Sequence, residues 1–136
     1  MNPDRIKGMA NMKLISIISP CFNEEGNVQE LHDRIAKVME KLDYDYEHIL
    51  IDNASTDRTV EILRAISAVD KRTKFIVNTR NFGQIRSPYH ALFQTSGDAV
   101  VCMAADLQDP PHKWHGFEIF GNRQRDCPLF DAIILP

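Results

Sequence analysis

Glycine is scarce in this sequence, and the six present fall in none of the usual phosphate-binding signatures. Neither a GxGxxG turn nor a GxxxxGK[ST] loop occurs, which excludes the common dinucleotide fingerprint and the P-loop. There is no GxSxG nucleophile elbow either. Cysteine is also rare. Cys21, Cys102 and Cys127 are odd in number and far apart, so the chain has neither a disulfide framework nor a CxxC site. Cys21 and Cys102 sit in or beside apolar runs and are expected to be buried thiols in a reducing compartment.

Long apolar runs are missing too. The longest are strand-sized, well short of the roughly 20 residues of a membrane span. The start, MNPDRIKGMANMK, has no apolar stretch of the signal-peptide kind. The expected location is therefore cytoplasmic, with any membrane contact peripheral and at the cytoplasmic face. Charge lacks a dominant sign: 16 Lys and Arg are interspersed with 19 Asp and Glu. No basic stripe argues for nucleic acid, and none is expected as a partner.

What is present is an alternation of short apolar runs and amphipathic stripes. Residues 1–12 read as a flexible leader. KLISIISP (13–20) is a nearly continuous apolar run, as expected of a strand covered on both faces. Val28, Leu31, Ile35, Val38, Met39 and Leu42 recur at helical spacing. HILID (48–52) predicts a second strand, followed by Ser55, Thr56 and Asp57 as N-cap candidates. Val60, Leu63, Ile66 and Val69 mark the next helix. KFIVN (74–78) predicts a third strand, and residues 86–95 a helix with Pro88 in its first turn. DAVVCMAA (98–105) predicts a fourth strand. The order β-α-β-α-β-α-β points to an α/β fold with a doubly wound, mostly parallel sheet.

In such sheets ligands bind beyond the carboxyl ends of the strands. Here those ends read PCFNEE, DNASTD, NTRNFG and ADLQD, all polar. Asp106, Gln108 and Asp109 offer the oxygen ligands that a hard cation prefers, although ordinary turn chemistry also accounts for a D-P-P sequence. Asp106 and Gln108, two residues apart, point the same way in an extended segment. His112 and His115 lack a third ligand for a metal site.

Taken together, SIISPCFNEEGNVQEL, ILIDNASTDRTVEIL, NTRNFGQ and GDAVVCMAADLQDPP resemble the family 2 inverting glycosyltransferases of GT-A fold. The nearest branch is the one that moves a sugar from a nucleotide donor to a polyprenyl phosphate. The resemblance implies a nucleotide-sugar surface formed by Pro20, Phe22 and Glu24, by Ile51, Asp52 and Asn53, and by Ala104, Ala105 and Asp106. Asp52 matches the first acid of the family's VDDGSTD loop, and Asn53 stands where the second acid is usual. Asp106 matches the second acid of the D-x-D motif, Gln108 matches a further metal ligand, and Ala104 stands where the first acid is common. The implied cofactor is Mg²⁺ or Mn²⁺, and the implied donor a UDP- or GDP-sugar. The implied acceptor is a polyprenyl phosphate or a glycan, in cell-wall or polysaccharide assembly.

These motifs cover residues 13–111. Residues 112–136 show no helical stripe, and four of these 25 residues (Trp114, Phe117, Phe120 and Phe130) are aromatic, against 8% for the chain. They read as an atypical tail on a truncated member that retains the donor half and lacks the acceptor half and its base. The alternative is a non-catalytic nucleotide-sugar-binding module.

Overall fold

The computed structural model describes residues 13–107. The leader, the pair Gln108 and Asp109, both candidate histidines and the tail lie outside the described residues.

Four strands form one parallel sheet: β1 (Leu14–Cys21), β2 (Asp45–Asp52), β3 (Thr73–Val77) and β4 (Ala99–Cys102). Three helices connect them: α1 (Val28–Met39), α2 (Thr59–Val69) and α3 (Gly83–Leu92). The spatial order is β3-β2-β1-β4. The chain winds outward from β1 through β2 to β3, then returns to the other side of β1 with β4. The junction of β1 and β4 is therefore the topological switch point, where such sheets open a crevice.

Burial on both faces explains the continuous apolar character of β1 and β2. On one face Ile15, Ile17, Tyr46 and Leu50 pack against Val28, Leu31 and Ile35 of α1 and Leu63 of α2. On the other, Ile18, Ile49, Ile51 and Val100 pack against Ala91 of α3. The α1 stripe is buried as its spacing predicts from Val28 to Met39, but Leu42 lies beyond the helix end and is only half-buried.

The elements differ from the sequence expectations in several places. β2 begins at Asp45, because its first residues pair with β1 from Leu14 onward. β4 is four residues long, since only Ala99–Cys102 have β1 partners. In α2 the inward stripe is Thr59, Leu63 and Ile66, while Val69 at the helix end is exposed. Pro88 lies inside α3, not in its first turn, because the helix begins at Gly83. With no N–H, Pro88 cannot close the bond that the Gln84 carbonyl would otherwise receive.

The amino-terminal pole of the sheet is closed by two buried polar clusters. The Glu47 carboxylate accepts bonds from Ser16 Oγ (2.6 Å), Lys74 Nζ (2.8 Å) and the Ser96 N–H (2.6 Å). Burial alone would raise its pKa, but these bonds outweigh burial and hold it below the usual value. Beside it the backbone at Gly97 approaches β1 so closely that a Cβ would lie 2.5 Å from Ser16 Oγ and 2.8 Å from the Leu14 carbonyl oxygen. On the opposite face His48 is fully buried, with Nε2 2.9 Å from Ser19 Oγ and its ring stacked on His32 at 6.5 Å. Nδ1 of His48 has no hydrogen-bond partner. Burial, reinforced by His32, lowers the His48 pKa to about 3.

Candidate nucleotide-sugar site

At the carboxyl pole, the loops after β1 and β2 are stitched together by reciprocal bonds. The Asn23 N–H donates to Ser55 Oγ (2.9 Å), and the Thr56 N–H returns a bond to Asn23 Oδ1 (2.8 Å). The Glu24 N–H donates to Thr59 Oγ1 (2.9 Å) and the Glu25 N–H to Asp57 Oδ2 (3.2 Å). The Arg58 N–H donates back to Glu25 Oε2 (3.1 Å). Two of the expected caps are thus used otherwise: Ser55 and Thr56 bind across to the β1 loop. Asp57 does serve the start of α2, accepting the Thr59 N–H at 2.9 Å, although Arg58 occupies the N-cap position. Burial would raise the Asp57 pKa, but bonds from Thr59 and from the N–H of Glu25 outweigh it and lower the pKa.

Such loops need unusual backbone. Asn23 (φ 52°), Ala54 (φ 64°) and Leu107 (φ 62°) all adopt the left-handed conformation, one each after β1, β2 and β4. Non-glycine residues rarely do so, and Asn tolerates it better than Ala or Leu. Sequence reasoning missed both the stitching and these three positions. Asn23 carried the available signal, because a loop Asn commonly marks a left-handed turn.

The implied site residues fall into three groups. Phe22 is 47% exposed and Asp106 and Ala104 are also exposed, on the loops after β1 and β4. Pro20 and Glu24 are half-buried, and Glu24 Oε2 accepts a bond from Asn27 Nδ2 at 2.8 Å. Ile51 and Ala105 are buried in the core, so a ligand would meet their backbone at most.

Asp52 and Asn53 are buried as well. Asp52 Oδ2 accepts the Ser55 N–H (2.9 Å), and its Oδ1 accepts the Ser55 hydroxyl, an Asx-type turn that shapes the loop. The Asn53 amide reaches the turn after β3. Its Oδ1 accepts the Phe82 N–H (2.8 Å) and Asn78 Nδ2 (3.3 Å), while its Nδ2 donates to Asn81 Oδ1 (2.8 Å) and the Gly83 carbonyl (3.3 Å). Below these loops Cys21 is buried and donates to the Ser19 carbonyl at 3.4 Å. Burial raises its thiol pKa, and the charges of Asp52 and Glu24 raise it further, so it is no nucleophile.

A divalent cation fits this rim only in part. Among the described residues no group of three or more His, Cys, Asp or Glu side chains is placed to hold one. Asp106 is the one implied metal ligand among the described residues, because Gln108 lies outside them and Ala104 carries no oxygen. Mg²⁺ and Mn²⁺ accept such sparse protein ligation when a substrate diphosphate supplies the remaining oxygens. The donor set is thus compatible with a metal brought in together with a nucleotide diphosphate.

The four-stranded parallel sheet matches those of GT-A transferase structures. The chain belongs to glycosyl transferase family 2, matching it over residues 16–117, beyond Pro111 where the motifs end. It is 38% identical over 112 residues to the uncharacterized glycosyltransferase YkcC of Bacillus subtilis (strain 168), covering 76% of this chain and 35% of YkcC. It is 32% identical over 126 residues to an undecaprenyl-phosphate 4-deoxy-4-formamido-L-arabinose transferase of Aeromonas hydrophila, covering 85% of this chain and 38% of that protein. Among solved structures it resembles Mycobacterium tuberculosis glucosyl-3-phosphoglycerate synthase in complex with Mn²⁺, UDP-glucose and phosphoglyceric acid. That likeness has a TM-score of 0.54 and 28% identity, over 75% of this chain and 36% of the other. The chain spans about a third of the length of the curated relatives it matches. No helix among the described residues is long and apolar enough to cross a membrane.

Proposed function

We propose that this chain supplies the donor half of a sugar transferase: it holds a nucleoside-diphosphate sugar across the β1–β4 crevice. The observation that supports the reading is that exposed Phe22 and exposed Asp106 lie on the loops that follow the paired strands β1 and β4, at the switch point. Phe22 offers an apolar ring for the base. Glu24 and the Asp52 loop, with Pro20 behind them, bound the ribose side, and Ala104 leaves room at the rim. Asp106, joined by Gln108, would hold Mg²⁺ or Mn²⁺, which when bound neutralises charge on the departing diphosphate. The relatives favour a polyprenyl phosphate as acceptor. A phosphate attacks the anomeric carbon without needing much deprotonation, so no general base is assigned among the described residues.

Calorimetric titration with UDP and GDP, each with and without Mn²⁺, tests this. Metal-dependent binding of one nucleotide is expected, and binding of neither would refute the donor site. If a nucleotide binds but no sugar reaches undecaprenyl phosphate from the matching nucleotide sugar, the chain is a binding module. The exposed methyl of Ala104, where the family commonly has an acid, favours that second reading.

A further inference from the structure

We infer that Asn53 is a positioning residue that clasps the 78–83 turn to the end of β2, and not a hydrogen-bonding partner of the donor's base. The inference rests on the donor-site reading above. A primary amide has two acceptor lone pairs and two N–H donors. In Asn53 all four are taken, by Phe82 N–H, Asn78 Nδ2, Asn81 Oδ1 and the Gly83 carbonyl, and the residue is 8% exposed. The orientation of the amide is fixed by chemistry. Turning it over would set its NH₂ against the Phe82 N–H, donor against donor. Asn81 is fixed in the same way, because its Oδ1 also accepts the Gly83 N–H at 2.8 Å.

A base N–H could reach Asn53 Oδ1 only by displacing the Phe82 N–H or Asn78. Displacement strands a buried polar group, which is costly. The acid usual in the family at this position would behave differently. A carboxylate keeps the bonds from Phe82 and Asn78 but has no hydrogen for Asn81 Oδ1 or the Gly83 carbonyl, so its second oxygen would face two acceptors. Asn53 therefore exchanges a charged acceptor for a tie between the end of β2 and the start of α3. The tie fixes the turn that carries the Arg80 guanidinium over the Phe82 ring, 4.8 Å from its centroid. Through Asn78, which also donates to Ser87 Oγ (2.9 Å), it reaches into α3 itself.

The test combines amide hydrogen exchange with nucleotide titration on the full chain, for Asn53→Asp and Asn53→Leu. Exchange at the Gly83 N–H is expected to quicken about tenfold or more in both variants without nucleotide, and at the Phe82 N–H in Asn53→Leu as well. Protection at Ile17 and Leu50 should stay unchanged, which shows that the fold is intact. UDP and GDP should both bind more weakly to Asn53→Asp, with the ratio of their Kd values unchanged. Unchanged exchange at Gly83, or a shift in that ratio by about tenfold, about the effect of one lost base contact, overturns the inference. If the wild-type chain binds neither nucleotide, the donor-site reading fails, and the exchange rates alone decide whether the clasp exists.

Discussion

The two poles of the sheet use polar side chains for opposite ends. At the amino pole Glu47 and His48 are buried and point into the sheet's own neighbours, so their bonds hold layers together. At the carboxyl pole Asn23, Glu25, Ser55, Thr56 and Asp57 bond mostly to backbone N–H groups of a facing loop, which leaves Phe22 and Asp106 outward. Polar residues at a strand end therefore do not by themselves mark a site. The difference lies in which partners satisfy them, and in whether side chains remain on the rim.

This contrast can be broken from either side. The largest effect is expected at the amino pole, from Gly97→Ala. The added Cβ would meet backbone as well as a side chain, so a loss of about 3 kcal/mol is expected by urea unfolding, with nucleotide affinity of the folded protein unchanged. Next comes acid. His48 has a folded pKa of about 3 against an ordinary 6.5, so between these values the unfolded chain binds a proton that the native chain does not. Stability should accordingly fall as pH drops below 6.5, by about 2 kcal/mol at pH 5 from this residue. His48→Gln should flatten that slope, and an unchanged slope would show that His48 is not its source. Glu47, whose folded pKa is lowered, adds stability that is lost at more acidic pH still, as pH falls through its folded value.

At the carboxyl pole the larger effect should appear in binding instead of folding. Asp106→Ala should remove the Mn²⁺ dependence of nucleotide binding and weaken the metal-loaded complex by about tenfold. A large loss of stability would place Asp106 in the framework. The smallest effect is expected for Ala54→Gly. It relieves a left-handed alanine at φ 64° and should raise stability by about 0.5–1 kcal/mol, offset in part by the greater freedom of glycine when unfolded.

The sheet was legible because burial on both faces demands apolar runs, and Leu14–Cys21 and His48–Asp52 supply them, whereas Asp45 and Glu47 hid the start of β2. The α1 stripe was legible for the same reason. Pro88 was misplaced because residues 83–85, which precede the expected start of α3, have no apolar stripe to announce a helix. β4 ends at Cys102, opposite Ile18, although β1 continues to Cys21, and its own apolar sequence did not mark that end. At the site, motif order located the loops and the outward Phe22 and Asp106. It did not show that Asn53 is saturated or that Ile51 is enclosed, because both depend on what the turn after β3 and helix α3 bring near them.

The stitching of the first two loops has a mechanical consequence. A loop tied to its neighbour through Asn23, Glu24, Glu25 and Arg58 cannot swing alone, so the β1 and β2 loops form one fixed jaw. A ligand resting on that jaw would meet loops already held in place, so little ordering cost would fall on them.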